Sequence, residues 1–154
     1  MAKHTFLLAE GYWKASGKYL DEQKNEYPVS GQSIIKHLEN KWINKGVMCI
    51  YAARSINITN EYEIEPLQPG NDTLNWISHN ASMGHIYGSF TIRDKELVSE
   101  YKSEKDKYQG NERFVYKNDN KYIVEGKLLK DGEIVSSWKV TLERQPTATS
   151  TKHH

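Results

Sequence analysis

The sequence predicts an all-β protein, an antiparallel up-and-down barrel of about ten strands. Three observations lead there. Period-two alternation of apolar and polar residues recurs along the whole chain, and sustained helical periodicity does not. The connections "RDKE", "KNDN" and "LKDGE" are short polar hairpin signals. Glycines recur on the inward face at Gly17, Gly31, Gly84, Gly88, Gly110 and Gly126, where they let a sheet curve and leave room inside it. A meander this long has two edges to hide, and closure removes both.

The first predicted strand lies within Ala9–Glu22, with Trp13, Ala15, Gly17 and Tyr19 inward. Tyr27–Leu38 is the second. Its set Val29, Gly31, Ser33, Ile35 and His37 competes with Ile34, Lys36 and Leu38, and the first set is taken as inward. The third is Trp42–Arg54, where Cys49 alternates with Val47 and Tyr51 and reads as a small core residue. Ile58–Leu67 turns Glu61, Glu63 and Glu65 outward and Ile58, Asn60, Tyr62 and Ile64 inward. After the turn "PLQPGND", Thr73–Asn80 directs Leu74, Trp76, Ser78 and Asn80 inward. Gly84–Ile92 contributes Gly84, Ile86, Gly88, Phe90 and Ile92, and Leu97–Ser103 contributes Leu97, Ser99, Tyr101 and Ser103. Tyr108–Tyr116 adds Tyr108, Gly110, Glu112, Phe114 and Tyr116. The last two strands, Lys121–Leu128 and Ile134–Arg144, add Tyr122, Val124, Gly126 and Leu128, then Ile134, Ser136, Trp138, Val140 and Leu142. Residues 1–145 thus form one barrel domain, and the polar tail 146–154 reads as a flexible end.

Composition narrows the function. The 154 residues suffice for one domain with its own core. The net charge is +1 with both signs interspersed, so no phosphate-tracking basic surface and no nucleic-acid partner is expected. Cys49 is the sole cysteine, which rules out an internal disulfide framework and suits a cytoplasmic location. No stretch has the length and hydrophobicity of a signal peptide or membrane span. A homodimer remains open.

Gly11-Tyr12-Trp13 at the head of the first strand resembles the G-x-W motif of the lipocalin and fatty-acid-binding-protein group, the calycins. The resemblance implies that Trp13 plugs one end of the barrel while a basic residue of the last strand, here Arg144 in "WKVTLER", lies across it as a structural closure. It covers the architecture of most of the chain rather than its residues, and resembles most the fatty-acid-binding or bacterial lipocalin-like branch. The helical lid pair of fatty-acid-binding proteins is missing, since "DEQKNE" is only a hairpin loop. Their C-terminal Arg-x-Tyr carboxylate clamp is missing too, which argues against a fatty-acid ligand.

The inward lining is rich in aromatic and polar groups, unlike a dry core of Leu, Ile, Val and Phe. One reading makes it the wall of a pocket for a small apolar or amphipathic molecule, formed by Tyr62, Trp76, Ser78, Asn80, Phe90, Tyr101, Glu112, Phe114, Tyr116, Tyr122 and Trp138. The other has the hydroxyls bonding one another and ordered water. Glu112 in "YQGNERFVY" is the sharpest residue, because a carboxylate inside a barrel is paired, hydrated or protonated. It would anchor a cationic or hydroxyl-bearing ligand, unless a bulge near Gly110 turns it outward or it forms a structural pair with an inward Arg or Lys. An enzyme of isomerase, cyclase or lyase type, with Glu112, Tyr101 and Tyr116 as acid/base groups, is an alternative. A protein-binding scaffold is another. His37, His79 and His85 lack metal-ligand spacing, so no metal is expected. No cofactor is expected either; haem on inward-facing His37 is the one considered. Nucleophile-elbow and phosphate-loop motifs are absent.

Overall fold

The computed structural model describes residues 4–80, 84–104 and 107–146. Ten strands follow one another: β1 Gly11–Leu20, β2 Glu26–His37, β3 Trp42–Tyr51, β4 Ser55–Ile64, β5 Thr73–Asn80, β6 Gly84–Ile92, β7 Glu96–Ser103, β8 Tyr108–Asn118, β9 Lys121–Lys130 and β10 Glu133–Gln145. Each pairs antiparallel with its neighbours in the chain, and β1 pairs with β10 to close the barrel. The closing ladder runs without a break from Tyr12↔Gln145 to Leu20↔Ser137. The β4–β5 ladder is the short one, its described pairs being Tyr62↔Ser78, Glu63↔Ile77 and Ile64↔Trp76. Among the described residues no helix is long and apolar enough to cross a membrane. The tail read as flexible lies outside the described residues from residue 147 onward.

Turn chemistry sets the hairpins. In "LKDGE", Asp131 and Gly132 take φ of 52° and 85°. Both lie in the left-handed region that a two-residue turn between twisted strands demands, which is why Asp-Gly stands there. In "LDEQKNE", the Asp21 carboxylate accepts hydrogen bonds from the backbone N–H groups of Gln23 and Asn25, both at 2.9 Å, and so folds the β1–β2 loop on itself.

The predicted faces hold along most strands. On β2 the set Val29 to His37 faces inward, with Val29 and Ile35 buried and Ile34 41% exposed. Two expectations are corrected. Met48 pairs with inward Gly31 and Ile50 with inward Val29, so the inward set of β3 is Asn44, Gly46, Met48 and Ile50. Cys49 therefore lies half-buried on the outer face beside Ser30 and Asn57, not in the core. Ile134 is 54% exposed rather than inward, because a bulge between Ile134 and Ser136 shifts the register of β10 against β9.

One end of the barrel is sealed by a segment that strand periodicity does not detect. His4, Phe6 and Leu7 are buried. Phe6 meets Trp13 edge-on with ring centroids 5.5 Å apart and stacks on Phe114 at 5.1 Å. The Tyr122 hydroxyl ties the segment down: it lies 2.8 Å from His4 Nδ1 and accepts the Thr5 N–H at 3.2 Å. Trp13 is fully buried, and the Arg144 guanidinium lies over its ring at 5.9 Å while donating to the Glu10 carbonyl at 3.2 Å. Trp13 and Arg144 thus meet at the sealed end of the barrel.

Candidate functional site

Above the plug the barrel is hollow. A lobe of about 110 Å³ next to Phe6 is lined by Phe114, Val124, Val140 and Leu142 from one side and by Ser33, Asn44 and Gly46 from the other. A larger lobe of about 330 Å³ runs toward the opposite end between Trp76, Phe90, Tyr101, Tyr108, Tyr19, Ile58 and Ile86. Met48, Asn60, Tyr62, Glu112 and Trp138 line both. The larger lobe alone equals the liquid volume of roughly ten waters, far beyond the voids of a packed core.

Three glycines create the wall. Trp76 on β5 pairs with Gly88, Tyr101 on β7 pairs with Gly110, and Trp138 on β10 pairs with Gly126. Each ring lies flat in the space its partner leaves free: a Cβ on Gly88, Gly110 or Gly126 would fall 2.4, 2.3 and 2.5 Å from the facing ring. Gly126 is also the register partner of Glu112. The Trp138 indole therefore crosses the bare backbone and donates from Nε1 to Glu112 Oε2 at 2.8 Å. Gly126→Ala is expected to push the indole off this seat and break that hydrogen bond. The expected loss is about 1–3 kcal/mol in urea unfolding, with a changed tryptophan emission. Stability and emission both equal to the parent protein's would refute the arrangement.

Glu112 points inward, so no bulge at Gly110 turns it out; its partial exposure is to the hollow. Burial raises its carboxyl from the ordinary 4.5 to about 7, against the opposing pull of the Trp138 N–H. Burial, and then the negative charge of Glu112, push the Tyr62 phenol well up. Tyr101 is raised by the same two causes and by Tyr62 in addition. The rings converge: Tyr62 meets Trp76 edge-on at 4.8 Å, and Trp76 lies 5.7 Å from Tyr101.

The fold brings Tyr62, Trp76, Phe90, Tyr101, Glu112, Phe114 and Trp138 of the predicted lining together around the two lobes. It places three others elsewhere. Ser78 is buried but spends its hydroxyl on the Glu61 carbonyl at 2.9 Å. Tyr116 donates to Asp119 at 2.6 Å beside the plug, and Tyr122 is consumed by His4 and Thr5. The side chain of Asn80 lies outside the described residues. His37 lines neither lobe. Its ring stacks on Trp42 at 3.9 Å, and its Nε2 lies 2.9 Å from the Leu7 carbonyl, so the considered haem ligand faces the plug. His79 and His85 form a cross-strand pair with rings 4.8 Å apart, and His79 is exposed. Among the described residues no group of three or more His, Cys, Asp or Glu could hold a metal.

Sequence reasoning missed Asn44, which is 6% exposed, lines the smaller lobe, and among the described residues has no hydrogen-bond partner for its Oδ1. An alternating count from Ile50 through Met48 and Gly46 finds it, but the apolar outer face of β3 hides that phase.

Comparison with known proteins adds to the fold alone. No family model matches the chain, and no curated protein matches it. Among solved structures it is similar to an S-type phycobiliprotein lyase from Guillardia theta, with a TM-score of 0.64 and 10% sequence identity, over 91% of this chain and 90% of that one. The likeness and the closed antiparallel barrel together show a calycin-like fold.

Proposed function

We propose that this chain is a binding protein that holds a small amphipathic molecule in the barrel, its apolar body in the aromatic-walled larger lobe and a polar group at Glu112. The observation that carries this is the carboxyl itself. It stands in an aromatic-walled hollow with one hydrogen bond among the described residues, from Trp138, although a carboxylate has room for about four. A group so placed is costly to a fold and useful to a site. The structural neighbour supports the reading in a coarse way, since its name ties it to phycobiliproteins, and the two chains share a barrel over most of their length. An acid/base enzyme in the same hollow is the second reading, favoured by the Glu112 carboxyl near 7, where proton transfer is efficient. In that reading Tyr101 is the available phenol, because Tyr116 lies at the plug.

Native mass spectrometry of freshly purified protein is expected to show a species heavier than the bare chain, with the extra mass lost on denaturation. Titration with the neutral dye Nile red should saturate at one equivalent and quench tryptophan emission. A bare-chain mass together with an unsaturable, non-quenching titration would sink the reading.

A further inference from the structure

The hollow has a charge character that the shape alone does not convey. Among the described residues neither lobe is lined by a lysine, arginine or histidine, and the one carboxyl there is Glu112. Among the described residues the cation stacked on a lining ring is Lys130, whose Nζ lies 5.6 Å from the Tyr108 ring centre. The rest of the polar lining is neutral, made of hydroxyls, amides and indole N–H groups, and Tyr19, Tyr62, Trp76, Phe90, Tyr101, Tyr108 and Trp138 give the larger lobe its aromatic wall.

Those faces matter electrically. An aromatic ring carries negative potential on its face, and several rings around one point make a cage for a positive charge. Trp76 meets Tyr62 edge-on at 4.8 Å and 70° and lies 5.7 Å from Tyr101 at 53°, so the three faces cannot all stack on a single flat body. They enclose a compact group better than a sheet-like one. Among the described residues Asn44 adds an unpartnered carbonyl oxygen in the smaller lobe, an acceptor, while the buried Trp76 Nε1–H is an unpartnered donor.

We infer that the molecule held here carries a positive charge, an ammonium or similar organic cation, seated in the cage of Tyr62, Trp76 and Tyr101 with Glu112 as its counter-ion. This rests on the binding reading above and narrows it. It also accounts for the missing carboxylate clamp: an anionic head would meet Glu112 with no cation to offset it.

A probe series of one shape and three charges separates the possibilities. Benzyltrimethylammonium, its neutral carbon analogue neopentylbenzene and the anion phenylacetate are titrated at pH 8, above the point where Glu112 ionises. The readouts are calorimetry and the indole N–H resonance of Trp138. The cation is expected to bind at least about tenfold tighter than the neutral analogue and to shift the Trp138 resonance. Glu112→Gln should erase most of that preference while leaving the neutral analogue's affinity unchanged. Trp76→Leu, which removes a cage face and keeps the charge, should weaken the cation more than the neutral probe. Equal or tighter binding of the neutral or anionic probe overturns the charge assignment and leaves the pocket standing. Failure of all three probes, joined by a bare-chain mass and no Nile red saturation, overturns the pocket as well.

Discussion

Trp13→Ala is expected to cost about 3–5 kcal/mol of folding stability, the usual range for emptying a buried Trp site, and to lower Tm on the order of 10 °C. Trp13 is fully buried under Arg144 and against Phe6 and Tyr122. Deleting the indole removes the floor on which the plug residues lean, and the space left behind joins the lobe that Phe6 already borders. The loss should be shared with the plug. Phe6→Ala in a Trp13→Ala background is expected to cost less than Phe6→Ala alone, because their contact is already gone. Trp13→Phe should cost under half as much as Trp13→Ala, for a specific reason: Trp13 Nε1 is buried with no acceptor, so phenylalanine forfeits packing but no hydrogen bond. Arg144→Ala removes only the stacked guanidinium, about 0.5–2 kcal/mol. Urea unfolding at pH 7 measures all five variants. A Trp13→Ala cost below about 1 kcal/mol would mean that the barrel end does not depend on this closure.

The seam from Trp13 to Arg144 also shows which kind of information the sequence holds. Alternation reports the face of a strand on which a residue lies, and it identifies the inward set on most strands. It does not report height along the barrel axis. Tyr116 and Tyr122 share faces with Glu112 and Val124, yet pair with each other at the plug, one inward position beyond the lobe-lining pair Phe114 and Val124. Height depends on the register of every ladder round the barrel, and no single strand encodes it. Alternation also fails where both faces are apolar. In β3, Ile43, Val47 and Cys49 lie outward and Met48 and Ile50 inward, so hydrophobicity alone cannot choose the phase; pairing with Gly31 and Val29 does. Ile134 was misplaced for a third reason, since one extra residue at a bulge reverses the faces beyond it. The plug His4–Leu7 carries only a short apolar run and no period, and what fixes it is a hydroxyl more than a hundred residues away in sequence. Glu112 was legible because a charge on an otherwise aromatic face breaks the pattern, and a break of that kind survives errors in height.

Glu112→Gln is expected to stabilise the protein at pH 8 and to leave it unchanged at pH 4. Burial raises the carboxyl to about 7 in the folded chain, above its ordinary 4.5. Between those values the folded state binds more protons than the unfolded state, so stability falls as pH rises through the window and levels off above it. The displacement corresponds to at most about 3 kcal/mol at pH 8, less to the extent that water in the hollow solvates the carboxylate. The amide oxygen of a glutamine can still accept from Trp138 Nε1, so the variant removes the charge and keeps the bond. Urea unfolding at pH 4 and pH 8 gives the difference directly. A variant less stable than the parent at pH 8 would mean that the carboxylate has a favourable partner in the folded chain and that its ionisation is not raised. The expected sign bears on function. A glutamine at this position would fill the same space, satisfy the same indole and spare the fold a buried charge. On the proposed binding reading, a carboxylate kept there at a cost in stability meets its partner in the bound molecule, because among the described residues no lysine, arginine or histidine lines either lobe. Adding a bound cation at pH 8 should then restore the stability that ionisation removes in the parent protein and restore none in Glu112→Gln.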